Sequence, residues 1–514
     1  MAAVRSTKVF LPCHTLDDFP TWLQPEEADD LLAAWVAAWH PSLIAAASAP
    51  PEWASVDLPA DETVAVGIVP ARWDDRFAAQ FDGRAAADAF FVRRVAGSAA
   101  IARAAAARLV PGLAAGPLPG EQHAADFEAL GLAVLLADLL ARRMRSAFDI
   151  DRAAFATAVT AAARAAVEGR DDEVRPPLAE CFASLEASRG RYYPVDSWIV
   201  DLVLLAPSTT TEAIAAECAA AVPVSFAASG ATIRHLAAAR PAALALLREA
   251  AAAGRIGLCG GLDDDRPLDS LAPEEILDSF ERARSTWREH VGGVPASFVR
   301  LGGGSSALLP QLIAGFGCRA GVWSLFDGSP LPDVGTGLVD WQAGGASVAM
   351  LASAPLDATS PCTTLALPDT LGDAMDRDHV ATAVFAHYAG AAGPWHPLLR
   401  RIGGWCGLLG QFTTPDDVVC RASGSATPAM LEPDAFPPAL PPDAGVPGID
   451  PVETAVAAHR EAARRILADT AWCRPERRPA APPAAGAAPR GPGGGGGARG
   501  GVGRRAPPPP PLGR

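Results

Sequence analysis

The chain has 514 residues, half of them apolar and 20% charged, with a formal net charge of −15. With no basic patch in the part that folds, that balance argues against a nucleic-acid partner. The 9 cysteines are scattered and lack CxxC spacing, which argues against a structural zinc–thiolate site and for buried, reduced thiols.

The expected location is the cytoplasm. The apolar run near the start is too short for a secretory signal, and no stretch is long enough to cross a membrane. Alanine supplies much of the apolar content and Lys8 is the only lysine. Alanine raises helix propensity but blurs the contrast between buried and exposed helix faces.

In chain order, residues 8–12 predict a first strand, followed by Cys13-His14-Thr15-Leu16-Asp17-Asp18-Phe19-Pro20. A histidine and two carboxylates just after a strand suit a metal or sugar hydroxyls. The competing reading has Asp17 and Asp18 capping a turn and His14 as a hydrogen-bonded core group. A helix is predicted over 26–47 and a second strand over 63–70. Residues 84–190 read as an Ala-rich helical insertion before the third strand at 198–206. A helix at 209–221, a strand at 223–229 and helices over 231–253 follow.

The stretch from 254 to 323 organises the rest. Its apolar runs at 256–259, 297–301 and 321–323 are separated by helix-like segments, which predicts parallel strands with helical crossovers. Ligands of such sheets bind at the strands' carboxyl ends. The residues there are Gly260-Gly261-Leu262-Asp263-Asp264-Asp265 and Arg300-Leu301-Gly302-Gly303-Gly304-Ser305. The glycine run lacks the lysine of a P-loop. Beyond it come a hairpin over 338–354, a strand over 380–388 ending in His387-Tyr388, and a helix over 395–410. The barrel is expected to span 1–425, followed by a Pro-rich linker at 426–451 and a helix at 452–472. The tail at 473–514 is Pro, Gly, Ala and Arg with a single acid, so it is expected to be disordered. Two readings of it stay open: a genuine basic tail, or a shift of reading frame near Cys473.

The strand-plus-GG of Ile256–Gly261 and the strand, Gly-Ser loop and L-P-Q-L helix of Phe298–Phe316 resemble the glycoside hydrolases of families 38 and 57. Cys13–Pro20 and Asp378–His387 resemble a bacterial subgroup with a C-H-x-x-D-D-F-P start and a D-H-V-A-T-x-V-F-A-H segment. The resemblance implies an α/β fold with a seven-stranded (β/α) barrel of the glycoside hydrolase and deacetylase type. It implies a carbohydrate substrate or ligand, α-mannosidase-type chemistry, and zinc as the cofactor. It places Arg300 where family 38 has its nucleophilic aspartate, and an arginine cannot attack an anomeric carbon. The acid/base position falls nearest Asp264 and Asp265.

Glycosidases need two carboxyl groups across the sugar. Asp264 and Asp265 are the candidates for the acid, because adjacent like charges raise one another's pKa. A solvated acidic turn beside Arg266 is the competing reading. The second carboxylate is sought in Asp17, Asp18 or Asp196. Asp17, Asp196, Arg300, Asp327 and Trp323 are candidate substrate contacts, and Trp22, Tyr193, Trp198, Trp341 and Trp395 are further aromatics that would stack on sugars or sit in the core. His14, Asp18 and His387 are the candidate zinc ligands. Three readings follow: a glycoside hydrolase, a degenerate barrel that binds carbohydrate without cleaving it, and a metal-dependent polysaccharide deacetylase. The oligomeric state stays open.

Overall fold

The computed structural model describes residues 6–11, 19–20, 22–55, 64–74, 90–110, 113, 116–192, 195–268, 271–327, 331–332, 334, 337–377, 380–422, 424–431 and 435–436. His14, Asp17, Asp18, Tyr193, most of the Pro-rich linker, the helix expected at 452–472 and the tail lie outside them. The chain divides into units of Met1–Ala463 and Arg464–Arg514, and the second lies wholly outside the described residues.

The fold is mixed α/β, with two sheets that are almost entirely parallel. The first holds β1 (Ser6–Leu11), β2 (Glu52–Ser55), β3 (Val64–Ile68) and β4 (Phe90–Val92), in the order β2-β1-β3-β4. This corrects the expectation that β1 and β3 open a single barrel. β1 is hydrogen-bonded on both edges, by β2 and β3, so it has no edge left for another sheet. β2 and β4 are too short to announce themselves in the sequence.

α1 (Pro25–Ala38) and α2 (Pro41–Ala47) replace one predicted helix. They meet at a 54° bend, where Pro41 removes the N–H that would continue α1. No single helix among the described residues is long and apolar enough to cross a membrane. α3 (Ser98–Leu109), α4 (Ala124–Arg143), α5 (Arg152–Val167) and α6 (Arg175–Tyr192) fill the Ala-rich stretch. They share one core with α1, α2 and the first sheet. Trp39 packs so close to α4 that a Cβ on Gly131 would overlap its indole, while Trp35 Nε1 donates to Gly131 O at 2.6 Å. Gly131→Ala is therefore expected to cost about 1–3 kcal/mol through overpacking. Urea unfolding checks it, as a lower midpoint at unchanged slope; an unchanged midpoint would mean that Trp39 moves aside freely.

The second sheet has eleven strands. They are β5 (Asp196–Leu204), β6 (Val224–Ala227), β7 (Ile256–Gly260), β8 (Ser297–Phe298), β9 (Ala320–Trp323), β10 (Gly337–Ala343), β11 (Ala346–Ala352), β12 (Leu356–Asp357), β13 (Val380–Tyr388), β14 (Gln411–Thr413) and β15 (Thr427–Met430). The order is β12-β13-β5-β6-β7-β8-β9-β11-β10-β15, with β14 beside β5 and the β10–β11 hairpin as the antiparallel pair. The sheet curls until β10 comes near β13, but no hydrogen-bonded ladder joins them. The expected closed seven-stranded barrel is thus an open, barrel-like curl.

The helices of this half are α7 (Thr211–Cys218), α8 (Gly230–Ala239), α9 (Pro241–Ala252), α10 (Pro273–His290), α11 (Leu309–Gly315), α12 (Pro361–Arg377), α13 (His396–Trp405) and α14 (Pro415–Arg421). Thr210 and Ser229 cap α7 and α8 by accepting from Ala213 N and Thr232 N. Alternation along β5 sorts its two faces. Trp198, Val200, Leu202 and Leu204 point into the curl with Cys259, Val322 and Val384. Ile199 and Val203 belong to cores on the other face of the sheet.

The buried thiols fit the cysteine reading. Burial pushes the Cys181 and Cys406 thiols up to about 12 and Cys259 higher still. After brief iodoacetamide treatment of native protein, peptide mapping should find label on exposed Cys420 and none on Cys181, Cys259 or Cys406.

Candidate functional site

The carboxyl ends of β7, β8 and β9 carry three loops that bind one another. β8 stops at Phe298, short of the predicted 297–301, and Val299 onward is loop. Phe326 N donates to Leu301 O at 2.9 Å and Leu268 N to Gly303 O at 3.0 Å.

The three successive aspartates after β7 have three different environments. Asp263 is buried, and its carboxylate is held by Arg234 of α8 and Arg282 of α10, the latter at 3.3 Å. It anchors the loop to the helices. Asp264 pairs with Arg266 Nε at 3.0 Å near the surface. Asp265 Oδ1 accepts from Leu301 N at 3.1 Å. Burial raises the Asp265 carboxyl above its ordinary range and Asp264 adds to this, while the Leu301 N–H and the Arg300 guanidinium pull the other way.

Across the β8 loop stands Asp327, whose Oδ2 accepts from Gly303 N at 2.7 Å. A Cβ on Gly302 would overlap that carboxylate, so glycine lets it approach the backbone. Asp265 and Asp327 thus hang from alternate amides of one loop, those of Leu301 and Gly303.

Arg300 is 3% exposed. Nη1 donates to Gly304 O at 3.1 Å and Gly303 O at 3.3 Å, and Nη2 to Arg266 O at 2.7 Å. It stitches the loops through carbonyls. The other candidates are elsewhere. Asp196 is exposed at the amino end of β5, the opposite end of the parallel strands. Trp323 is buried and stacks on Trp341 with ring centroids 4.3 Å apart. Trp198 and Trp395 are also buried, and Trp22 is exposed.

His387 belongs to a second cluster. Asp201, wholly buried in β5, lies in register with Phe385 of β13, two residues before His387. Asp201 Oδ2 is 3.0 Å from His396 Nε2 and accepts from Arg400 Nε at 2.6 Å. Arg400 Nη1 donates to Glu217 Oε2 at 2.6 Å, and Arg400 Nη2 lies 3.1 Å from His387 Nε2. His387 Nδ1 is 2.9 Å from Tyr388 O.

Of the candidate zinc ligands, His387 alone lies among the described residues. Ligand atoms of Asp201, His387 and His396 lie within 4.8 Å of one another. His387 Nε2 lies 3.5 Å from Asp201 Oδ1, and the Arg400 guanidinium sits against both, however. When His387 is neutral, Nε2 accepts from Arg400; when it is charged, Nε2 has no lone pair to give. The arrangement is a buried ion network and does not fit a metal. Sequence reasoning passed over Asp201, Glu217, His396 and Arg400. The available signal was the carboxylate inside the apolar run WIVDLVLL, since a buried charge must be paired.

No family model and no curated protein matches the chain. Among solved structures, 46% of it superposes on 40% of a 4-alpha-glucanotransferase from Thermococcus litoralis, at 13% identity and TM-score 0.35. The same share superposes on 30% of an alpha-mannosidase from Enterococcus faecalis V583, at 9% identity and TM-score 0.36. It also superposes on 100% of a family 4 carbohydrate esterase from Streptomyces lividans, at 13% identity and TM-score 0.28. The chain thus spans less than half the length of the first two. Similarity at this level leaves its family unassigned.

Proposed function

We propose that the chain acts on carbohydrate and hydrolyses glycosidic bonds, with Asp265 as the proton donor and Asp327 as the second carboxylate. The observation that carries this reading is the pair of carboxyl groups suspended from the amides of Leu301 and Gly303 at the strands' carboxyl ends. Asp265 is half-buried and Asp327 exposed. Asp265 is held toward its protonated form mainly by burial. It would give its proton to the departing glycosidic oxygen, while Asp327 supports the anomeric carbon or activates water there. Asp263 and Arg300 fix the loops and take no part in proton transfer. The sequence resemblance to families 38 and 57 supports the same substrate class, and hydrolysis of α-mannosides is its finer form.

A second reading, binding without cleavage, is favoured by Arg300. It stands where the resemblance implies a nucleophile, and it donates to the backbone carbonyls of Gly303, Gly304 and Arg266. One experiment separates the two: turnover of a panel of aryl α- and β-glycosides, beside calorimetric titration with oligosaccharides. Turnover lost in Asp265→Asn supports hydrolysis. Saturable oligosaccharide binding without turnover selects the second reading. Neither turnover nor binding rejects both.

A further inference from the structure

A buried guanidinium is costly unless acceptors surround it. Arg300 has such a shell, and its acceptors follow a pattern. Nη1 donates to Gly303 O at 3.3 Å and Gly304 O at 3.1 Å, and Nη2 donates to Arg266 O at 2.7 Å. Gly303 is the residue whose N–H holds Asp327, and Arg266 directly follows Asp265 in the chain. One side chain thus joins the backbone beside the first carboxyl group to the backbone that holds the second.

The loop is shaped for this clamp. Gly303 has φ +79°, and a Cβ there would stand 2.6 Å from Arg300 Nη2 and 2.7 Å from Arg266 O. Only glycine lets the backbone close on the guanidinium in that conformation. The planar fork of arginine presents donors on separate nitrogens, so it serves both loops at once. The single ammonium nitrogen of a lysine cannot reproduce that span.

The charge adds a second effect. When Asp265 passes its proton to the departing oxygen, a half-buried anion is left behind. The Arg300 charge favours that anion, against the burial that disfavours it. We propose that Arg300 is a positioning residue for hydrolysis, which locks the β7 loop to the β8 loop so that Asp265 and Asp327 keep one spacing, and which stabilises the Asp265 carboxylate after proton transfer. The inference rests on the hydrolytic reading. It gives the residue at the resemblance's nucleophile position a working part in the site.

The test uses the full chain and the aryl glycoside that it turns over fastest. No wild-type turnover on any glycoside overturns the hydrolytic reading and this inference with it. Given turnover, Arg300→Lys should lose roughly 10–100-fold in kcat, the scale of a misplaced catalytic group, with KM little changed. Its basic limb of the pH profile should stay in place, because the charge remains. Arg300→Ala should lose at least as much, and its basic limb should move to higher pH, because the charge that lowers Asp265 is gone. A kcat kept in Arg300→Lys overturns this inference alone, as does a basic limb that stays in place in Arg300→Ala. A raised KM with kcat kept in both variants also overturns it, since Arg300 would then be a substrate contact. Should neither variant fold by circular dichroism, a crystal structure of the wild type with a thio-linked disaccharide decides. Arg300 still bonded to the carbonyls of Gly303 and Arg266 supports the proposal, and Arg300 turned onto the sugar overturns it.

Discussion

Asp201→Ala is expected to lower unfolding free energy by roughly 3–5 kcal/mol, because it leaves a buried cation without its counter-charge. Asp201 is 0% exposed, and the Arg400 side chain that binds it is 13% exposed. In the variant, Arg400 keeps only Glu217 as a carboxylate partner among the described residues, and His396 loses the hydrogen bond at its Nε2. Urea unfolding measures the loss. A double variant, Asp201→Leu with Arg400→Met, should recover much of it, since a buried ion pair contributes less than its halves cost when separated. A loss under about 1 kcal/mol, the range of exposed pairs, would mean that water reaches the cluster.

The same cluster predicts how stability varies with pH. Burial pushes the Asp201 carboxyl up, but His396, His387 and Arg400 outweigh it and hold the group far below the ordinary carboxylate range. Its contribution is complete above the unfolded value of about 3.9 and is lost as pH falls below it. His387 runs the other way. Burial lowers it, but Asp201 and Glu217 raise it further, above its ordinary value. Its contribution is complete below the unfolded value of about 6.5 and is lost as pH rises through the higher folded value. Stability should therefore peak between these limits. The alkaline decline should weaken in Asp201→Ala, where the main source of the His387 shift is gone.

Individual strands were legible because each is a short apolar run between breakers. β5, β6, β7 and β13 fall where such runs place them. Partners were not legible, because pairing depends on which edges remain free. Nothing local to β1 tells that Glu52–Ser55 and Val64–Ile68 occupy both its sides. The end of β8 was misjudged for a related reason: Val299 and Leu301 are apolar, but the Arg300 side chain bonds loop carbonyls and the chain leaves the ladder. At the site, the acidic run after β7 could be found by composition. The division of labour within it could not. That division comes from Arg234 and Arg282 on α8 and α10, which claim Asp263, and from the Leu301 amide, which claims Asp265. His387 was singled out but its neighbour Asp201 was not, since Asp201 lies far from it in sequence.

Asp265→Asn is expected to keep its fold and lose roughly 10²–10⁴-fold in kcat/KM, the usual contribution of a positioned general acid. Asparagine can still accept from Leu301 N, so the loop keeps its tie while the proton is lost. The size of the loss should depend on the leaving group. A glycoside whose aglycone departs readily as an anion needs little protonation and should retain most of its rate, whereas an alkyl glycoside should show the full deficit. A uniform loss across leaving groups would indicate a damaged pocket instead of a missing acid. The pH profile supplies a second check. The raised Asp265 carboxyl keeps its proton to higher pH than an ordinary aspartate, so it sets the basic limb of kcat/KM, and that limb should vanish in Asp265→Asn. Burial is the larger cause of the shift and the Asp264 charge a smaller one. Asp264→Asn should therefore leave the rate at the optimum largely intact and move the basic limb to lower pH. If the limb stays in place in that variant, the acid is a group other than Asp265, and the assignment falls with it.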